Sequence, residues 1–299
     1  RLFSKWICHP LYKIDEINER LDAVEELINQ NDVVQNISKV LKKLPDLDRL
    51  LMRIRTGAIK LKPALEFLRG LEDIVILIES YGLPPTAMEE IHDEEVSTPR
   101  TEVYKFTSPY LSRITTPASQ DGGEFPDIYE IVARFSDGID RESSIEQDLL
   151  VPKPGFNEDY DTAVQTHRKL KESIDIRLEN LKKQLGISQV KYKHTAKQKY
   201  QIEIPNKYLG SVTVPGYLVQ VKKLKTVTRY YDPSVSEMLL ELGEAEETLE
   251  VVSKKQLHAF VVALGKHDSE FHKAIVCIAQ LDCLVSLAKT SSSSGFQNM

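Results

Sequence analysis

Apolar residues in the N-terminal part of the chain recur every three or four positions. In "HPLYKIDEINERLDAVEELI", Ile17, Leu21, Val24 and Ile28 stand four, three and four residues apart, one apolar stripe on a helix. Asp15 is placed as an N-cap. In "ISKVLKKLPDLDRLLMRIRTG", Pro45 breaks one helix, Asp46 is placed to cap the next, and Gly57 to stop it. "PALEFLRGLEDIVILIESYG" predicts a third helix, from Pro63 at its first position to Gly82.

From Leu83 to about Gly123 the periodicity vanishes. Pro84, Pro85, Pro99, Pro109 and Pro117 mark a long connection with one or two short turns. "FPDIYEIVARFSDGID" returns to helical spacing. "VPKPGFNEDYD" is a loop that leads into a long helix over about 157–185, which Gly186 ends.

After Gly186 the period changes to two. Val190, Tyr192, His194, Ala196, Gln198, Tyr200, Ile202 and Ile204 fall on one side of an extended chain. Lys191, Lys193, Thr195, Lys197, Lys199, Gln201 and Glu203 fall on the other, which predicts a strand. "SVTVPGYLVQVKKLKTVTRYY" supplies further extended segments around a Pro-Gly turn. Asp232 as N-cap and Pro233 at the first position then open a second long helical stretch, to near Lys289. Gly243 or Gly265 is placed to interrupt it. The predicted fold is mainly α with a small inserted β unit, the long helices carrying that unit at their tips. The expected parts are a helical region over 1–150 with the loop at about 83–123, an outgoing helix over 151–186, a β-rich unit over 187–231, a returning helix over 232–290 and a flexible end over 291–299.

Composition adds one thing that the pattern does not contain. The 299 residues carry a formal net charge of −6, with 41% hydrophobic and 28% charged residues, a globular balance. Between Leu181 and Tyr230, however, eleven Lys and Arg face one acid, Glu203. That island carries +10, and the other 249 residues carry −16. Segregation of this kind marks an interaction surface. A solvated strand face, or lysines guarding a sheet edge, is the plainer reading. The sharper one is phosphate contact, because lysines at alternate strand positions make a row of roughly 26 Å at 3.3 Å per residue. The candidate contacts are Lys191, Lys193, Lys197, Lys199, Lys222, Lys223, Lys225 and Arg229. Tyr192, Tyr200, Tyr208 and Tyr217 are placed either to stack on bases or to form the core of the β unit.

Other chemistry is sparse. Cys8, Cys277 and Cys283 have no ligand-like spacing and suggest a reducing compartment without a disulfide framework. No apolar run approaches a membrane span, and no membrane partner is expected. The chain starts at Arg1 and reads as a piece of a longer protein. Its Gly-Lys pair, Gly265-Lys266, is followed by His267, and Phe260 stands where the first glycine of a P-loop would be. His258, His267 and His272 do not make a His-Glu-x-x-His site. No cofactor, metal site or catalytic set is expected within these residues.

The motifs in order resemble the lever and clamp region of the MutS mismatch-repair family. "RLFSKWICHPLYKIDEINERLDAVEELI" is similar to the stretch that opens that family's core of lever helices, and "LKKLPDLDRLLMRI" to its next signature. "PKPGFNEDYDTAV" resembles the entry to the outgoing lever. "KQKYQIEIP" with "VTRYYDPSVSEMLLELGEAEE" resembles the clamp and the start of the returning lever, and "AIVCIAQLDCLVSLA" the run before the ATPase. "KYQIEIP" looks most like the eukaryotic MutS homologue 6 type.

The resemblance implies a clamp that holds duplex DNA, mismatched in the full-length protein, by its backbone. It also implies a second MutS homologue subunit as heterodimer partner, nuclear localisation, and ATP and Mg bound by an ATPase domain that this chain lacks. Phe156-Asn157-Glu158 matches the family's Phe-x-Glu wedge by letter only. The alternative is a helical interaction scaffold whose basic tip docks an acidic protein or RNA.

Overall fold

The computed structural model describes residues 2–82, 104–194 and 199–292. Along it lie α1 (Leu2–Cys8), α2 (Ile14–Asn29), α3 (Asn31–Leu41), α4 (Leu47–Arg55), α5 (Leu61–Gly82), α6 (Pro109–Thr115), α7 (Tyr129–Asp137), α8 (Arg141–Gln147) and α9 (Glu158–Leu185). Strands β1 (Lys191–Lys193), β2 (Gln201–Pro205), β3 (Val219–Lys223) and β4 (Val227–Tyr231) follow, then α10 (Pro233–Gly265) and α11 (Asp268–Ser291). The fold is mainly helical with one small antiparallel sheet. It divides into two compact units, one of residues 1–151 with 257–299, the other of 152–256.

Local chemistry explains most of the helix ends. The Asp46 carboxylate accepts from the Arg49 N–H at 3.1 Å and caps α4. Gly57 lies beyond that helix at φ +66°, where a side chain would be strained. Gly243 passes inside α10 without a break, whereas Gly265 ends it and α11 starts three residues later. Helix α5 begins at Leu61, two residues ahead of the predicted Pro63 start. The proline-rich connection contains α6, opened by Pro109, and residues 83–103 of that connection fall outside the described residues. The end over 293–299 also falls outside them.

The core of the first unit is built on α5 and α11. Phe67, Leu68, Leu71 and Ile74 of α5 and Phe271, Ala274, Leu281 and Leu284 of α11 all belong to it, and all are buried. Phe67 and Phe271 cross edge to face at 5.7 Å. Helix α11 is long and apolar enough, by length and composition, to cross a membrane, contrary to the reading of the sequence. Half of that stretch is buried inside the protein, which is how the core helix of a globular unit also looks.

Helix α2 departs from expectation. Its predicted stripe is largely exposed, with Leu21 at 60%, while Ala23 and Leu27 are buried. The covered side is the one that meets α11, α6 and α3. That side also carries Glu26, whose carboxylate accepts from the Tyr104 hydroxyl at 2.9 Å, from the Thr107 N–H at 2.7 Å and hydroxyl at 3.0 Å, and from the Ser108 N–H at 2.8 Å. A half-buried acid satisfied in this way reads as polar in sequence, so spacing alone selects the wrong stripe. Asp15 lies in the first turn of α2, and the N-cap position is Lys13.

Candidate nucleic-acid interface

The second unit is a sheet held between the ends of two helices. The Asn157 side chain accepts from the Tyr160 N–H at 2.7 Å and caps α9. Phe156-Asn157-Glu158 is therefore a helix start. Gly186, at φ +66°, closes α9. At the far side of the sheet, Asp232 is almost fully buried. One of its oxygens accepts from the Ser234 N–H at 3.0 Å, at the start of α10. The other accepts from Arg177 Nε of α9 at 2.9 Å. One carboxylate thus opens α10 and ties it to α9.

The sheet order is β1-β2-β4-β3, all pairs antiparallel. The predicted strand from Val190 to Ile204 is in fact two strands. Lys191 pairs with Glu203, Tyr192 with Ile202 and Lys193 with Gln201. β1 and β2 run antiparallel, and Tyr200, the residue before β2, has φ +58°. The expected row of four lysines on one strand is thereby corrected. Lys191 and Lys193 share a face of β1, Lys199 precedes β2, and Lys197 lies outside the described residues.

Register sorts the remaining residues into two faces, because opposed residues in an antiparallel ladder point the same way. One face carries Tyr192, Ile202, Ile204, Thr228 and Tyr230. It packs on Leu181 and Leu185 of α9 with Ile187, Val190 and Leu218, the small core of this unit. The opposite face carries charge. Across the four strands Lys191 stands beside Glu203, Glu203 beside Arg229, and Arg229 beside Lys222. The register of β3 shifts between Gln220 and Lys222, so Val221 has no partner in the ladder. That shift brings Lys222 onto the charged face. Lys223 falls opposite Thr228, on the other face. Lys225 is exposed in the turn between β3 and β4, where the Asn206 amide donates to the Leu224 and Lys225 carbonyls at 2.7 and 3.1 Å.

Arg229 is the candidate contact with an internal partner. Its Nε donates to Glu203 at 2.9 Å, and both side chains are largely covered. Among the described residues, Lys191, Lys193, Lys199, Lys222, Lys223 and Lys225 form no salt bridge, and all are exposed. The sequence reading missed the pairing of Glu203 with Arg229. The signal was present: Glu203 is the lone acid of the island, and "QIEIP" and "VTRYY" are of equal length and alternate in step.

The tyrosines divide. Tyr192 and Tyr208 pack against the core, and Tyr192 donates to the Ile174 carbonyl at 3.0 Å. Its burial pushes its hydroxyl up from the ordinary range, and Asp232 and Asp175 nearby push it further. Tyr217 remains partly exposed, lies 4.8 Å from the Arg177 guanidinium and donates to Gln184 at 3.1 Å.

The Gly265-Lys266 pair stands at a helix end. Gly265 closes α10, and the Lys266 N–H donates to the Ala263 carbonyl at 3.2 Å as part of that helical end. Among the described residues no group of three His, Cys, Asp or Glu side chains is placed to hold a metal ion.

The chain thus combines a mainly helical unit with a second unit in which a small, charged four-stranded antiparallel sheet lies between two long helices. The family model for MutS domain III matches residues 1–288. The chain belongs to the MutS family. Among relatives, the DNA mismatch repair protein Msh6 of Gallus gallus is 31% identical over 97% of this chain and 22% of its own length. Msh6 of Homo sapiens is 29% identical over 97% of this chain and 22% of its own. Msh3 of Dictyostelium discoideum is 28% identical over 99% and 21%. The likeness to the eukaryotic homologue 6 type is borne out by these Msh6 matches. The chain spans about a fifth of the length of these relatives.

Proposed function

We propose that this chain is the DNA-holding part of a DNA mismatch-repair protein. It holds the duplex by its phosphate backbone and does not read sequence. The observation that carries this is the cross-strand set on the sheet's outer face, Lys191, Arg229 and Lys222, with Lys193 on the same side of β1 as Lys191. Lysine and arginine contacts to phosphate give affinity and position and carry no base information. In this reading α9 and α10 are the levers between that grip and an ATPase domain elsewhere in the longer protein, where ATP and Mg would bind. Membership of the family supports a nuclear protein that works with a second MutS homologue subunit around mismatched duplex.

The test is the salt dependence of binding. Four to six phosphate contacts give a slope of log affinity on log salt of about −3.6 to −5.4 for duplex DNA. Matched and mismatched duplexes give the same slope, because the mismatch is not read here. A chain that ignores duplex DNA but binds a polyglutamate peptide is a scaffold for an acidic protein. A chain that prefers an RNA duplex of equal length is an RNA binder.

A further inference from the structure

Lys222 and Lys223 are neighbours in sequence, equal in charge and both exposed, yet the ladder puts them on opposite faces of the sheet. Lys191 is far from Lys222 in sequence and stands on the opposite edge of the sheet, yet shares its face. Between these two lysines lies the only acid of the basic island. Glu203 is buried in a central strand with Arg229 bonded to it at 2.9 Å. Its carboxylate therefore sits inside the cationic face. A solvated acid at the rim would be screened, whereas a covered one is screened less.

We infer that the outer face of the sheet is the anion-contact surface, and that Glu203 is a positioning residue that holds Arg229 along the face and limits its grip. This rests on the proposal that the chain holds a nucleic-acid backbone. Three cations in one rung would each attract phosphate. Glu203 cancels one of them and repels the approaching phosphate, so the hold is weaker than three cations would give. It also fixes the Arg229 guanidinium in one arrangement through that bond.

The experiment compares four variants of the full chain, Lys191→Ala, Lys222→Ala, Lys223→Ala and Glu203→Gln, by the salt slope of their binding to one matched DNA duplex. Lys191→Ala and Lys222→Ala should each flatten the slope by about 0.9, the share of one phosphate contact. Lys223→Ala should leave it unchanged. Glu203→Gln keeps the shape and the acceptor oxygen and removes the repulsion. It should steepen the slope by up to about 0.9 and tighten binding. A purely structural role for Glu203 gives the opposite sign, since a disturbed sheet binds less tightly and with a flatter slope.

Equal flattening by Lys222→Ala and Lys223→Ala would overturn the assignment of the face, whether or not Glu203→Gln folds well. An unchanged or flatter slope in Glu203→Gln would overturn the role of the acid. A wild-type chain that holds no duplex at about 50 mM salt removes the backbone-holding reading itself, and the inference with it.

Discussion

Glu26 shows how much one side chain can organise. Burial by itself would raise its pKa, but the N–H groups of Thr107 and Ser108 and the Tyr104 hydroxyl favour the charged form, and the net shift is downward. The Tyr104 hydroxyl is pushed up to about 12 by its burial and by the same carboxylate. Because the folded pKa of Glu26 lies below its unfolded value, the stabilisation is fully present above the unfolded value and is lost as pH falls through the folded one. Glu26→Gln should cost up to about 1.5–3 kcal/mol at neutral pH, the range for a hydrogen bond to a charged group. Urea unfolding followed from pH 7 down to 3 should show the wild type approaching the variant as the acid titrates. A constant gap across that range would mean that Glu26 contributes by packing alone.

Elements were legible to different depths. Caps and stops at Asp46, Gly57, Asn157, Gly186 and Asp232 are short-range chemistry, and sequence carries short-range chemistry directly. Which side of α2 is covered depends on α11, α6 and α3, and no local signal contains that. The same limit made one strand out of two. Alternation in the sequence continues from β1 to β2, so period alone does not show that the two strands run antiparallel. A pair of substitutions separates the two stripes of α2. Leu27→Ala should cost about 2–5 kcal/mol, and Leu21→Ala should stay within about 0.5 kcal/mol. Denaturant midpoints at constant slope would read both, and a larger loss at Leu21 would return the buried stripe to the one that spacing suggested.

For the whole molecule, the charge island was the most legible feature, since net charge needs no geometry to count. Its division into faces was not, because β3 and β4 must pair before Lys222 and Lys223 differ. The two units also differ in core size: the first has a large continuous core, the second two small clusters, one around Ile202, Ile204 and Tyr230 and one of Ile174, Val235 and Leu242. The single tryptophan, Trp6, packs against the first core, with the Arg20 guanidinium 3.7 Å from its ring centroid. Tryptophan emission therefore reports on one unit, and far-ultraviolet circular dichroism on both. The circular dichroism transition should begin at lower urea than the emission transition, as the smaller core gives way first. Coincident curves would mean that the units unfold together.

The unpaired Val221 has an evolutionary side. Whether a lysine or a valine stands beside Arg229 is decided by a count of residues in β3 and not by their identities. An insertion or deletion of one uncharged residue there shifts the register and can exchange the two faces while leaving net charge and every other letter unchanged. Among relatives of this chain, the length of that strand is therefore a character to be scored in its own right. Two sequences that align well by substitution could differ in grip because one is a residue shorter.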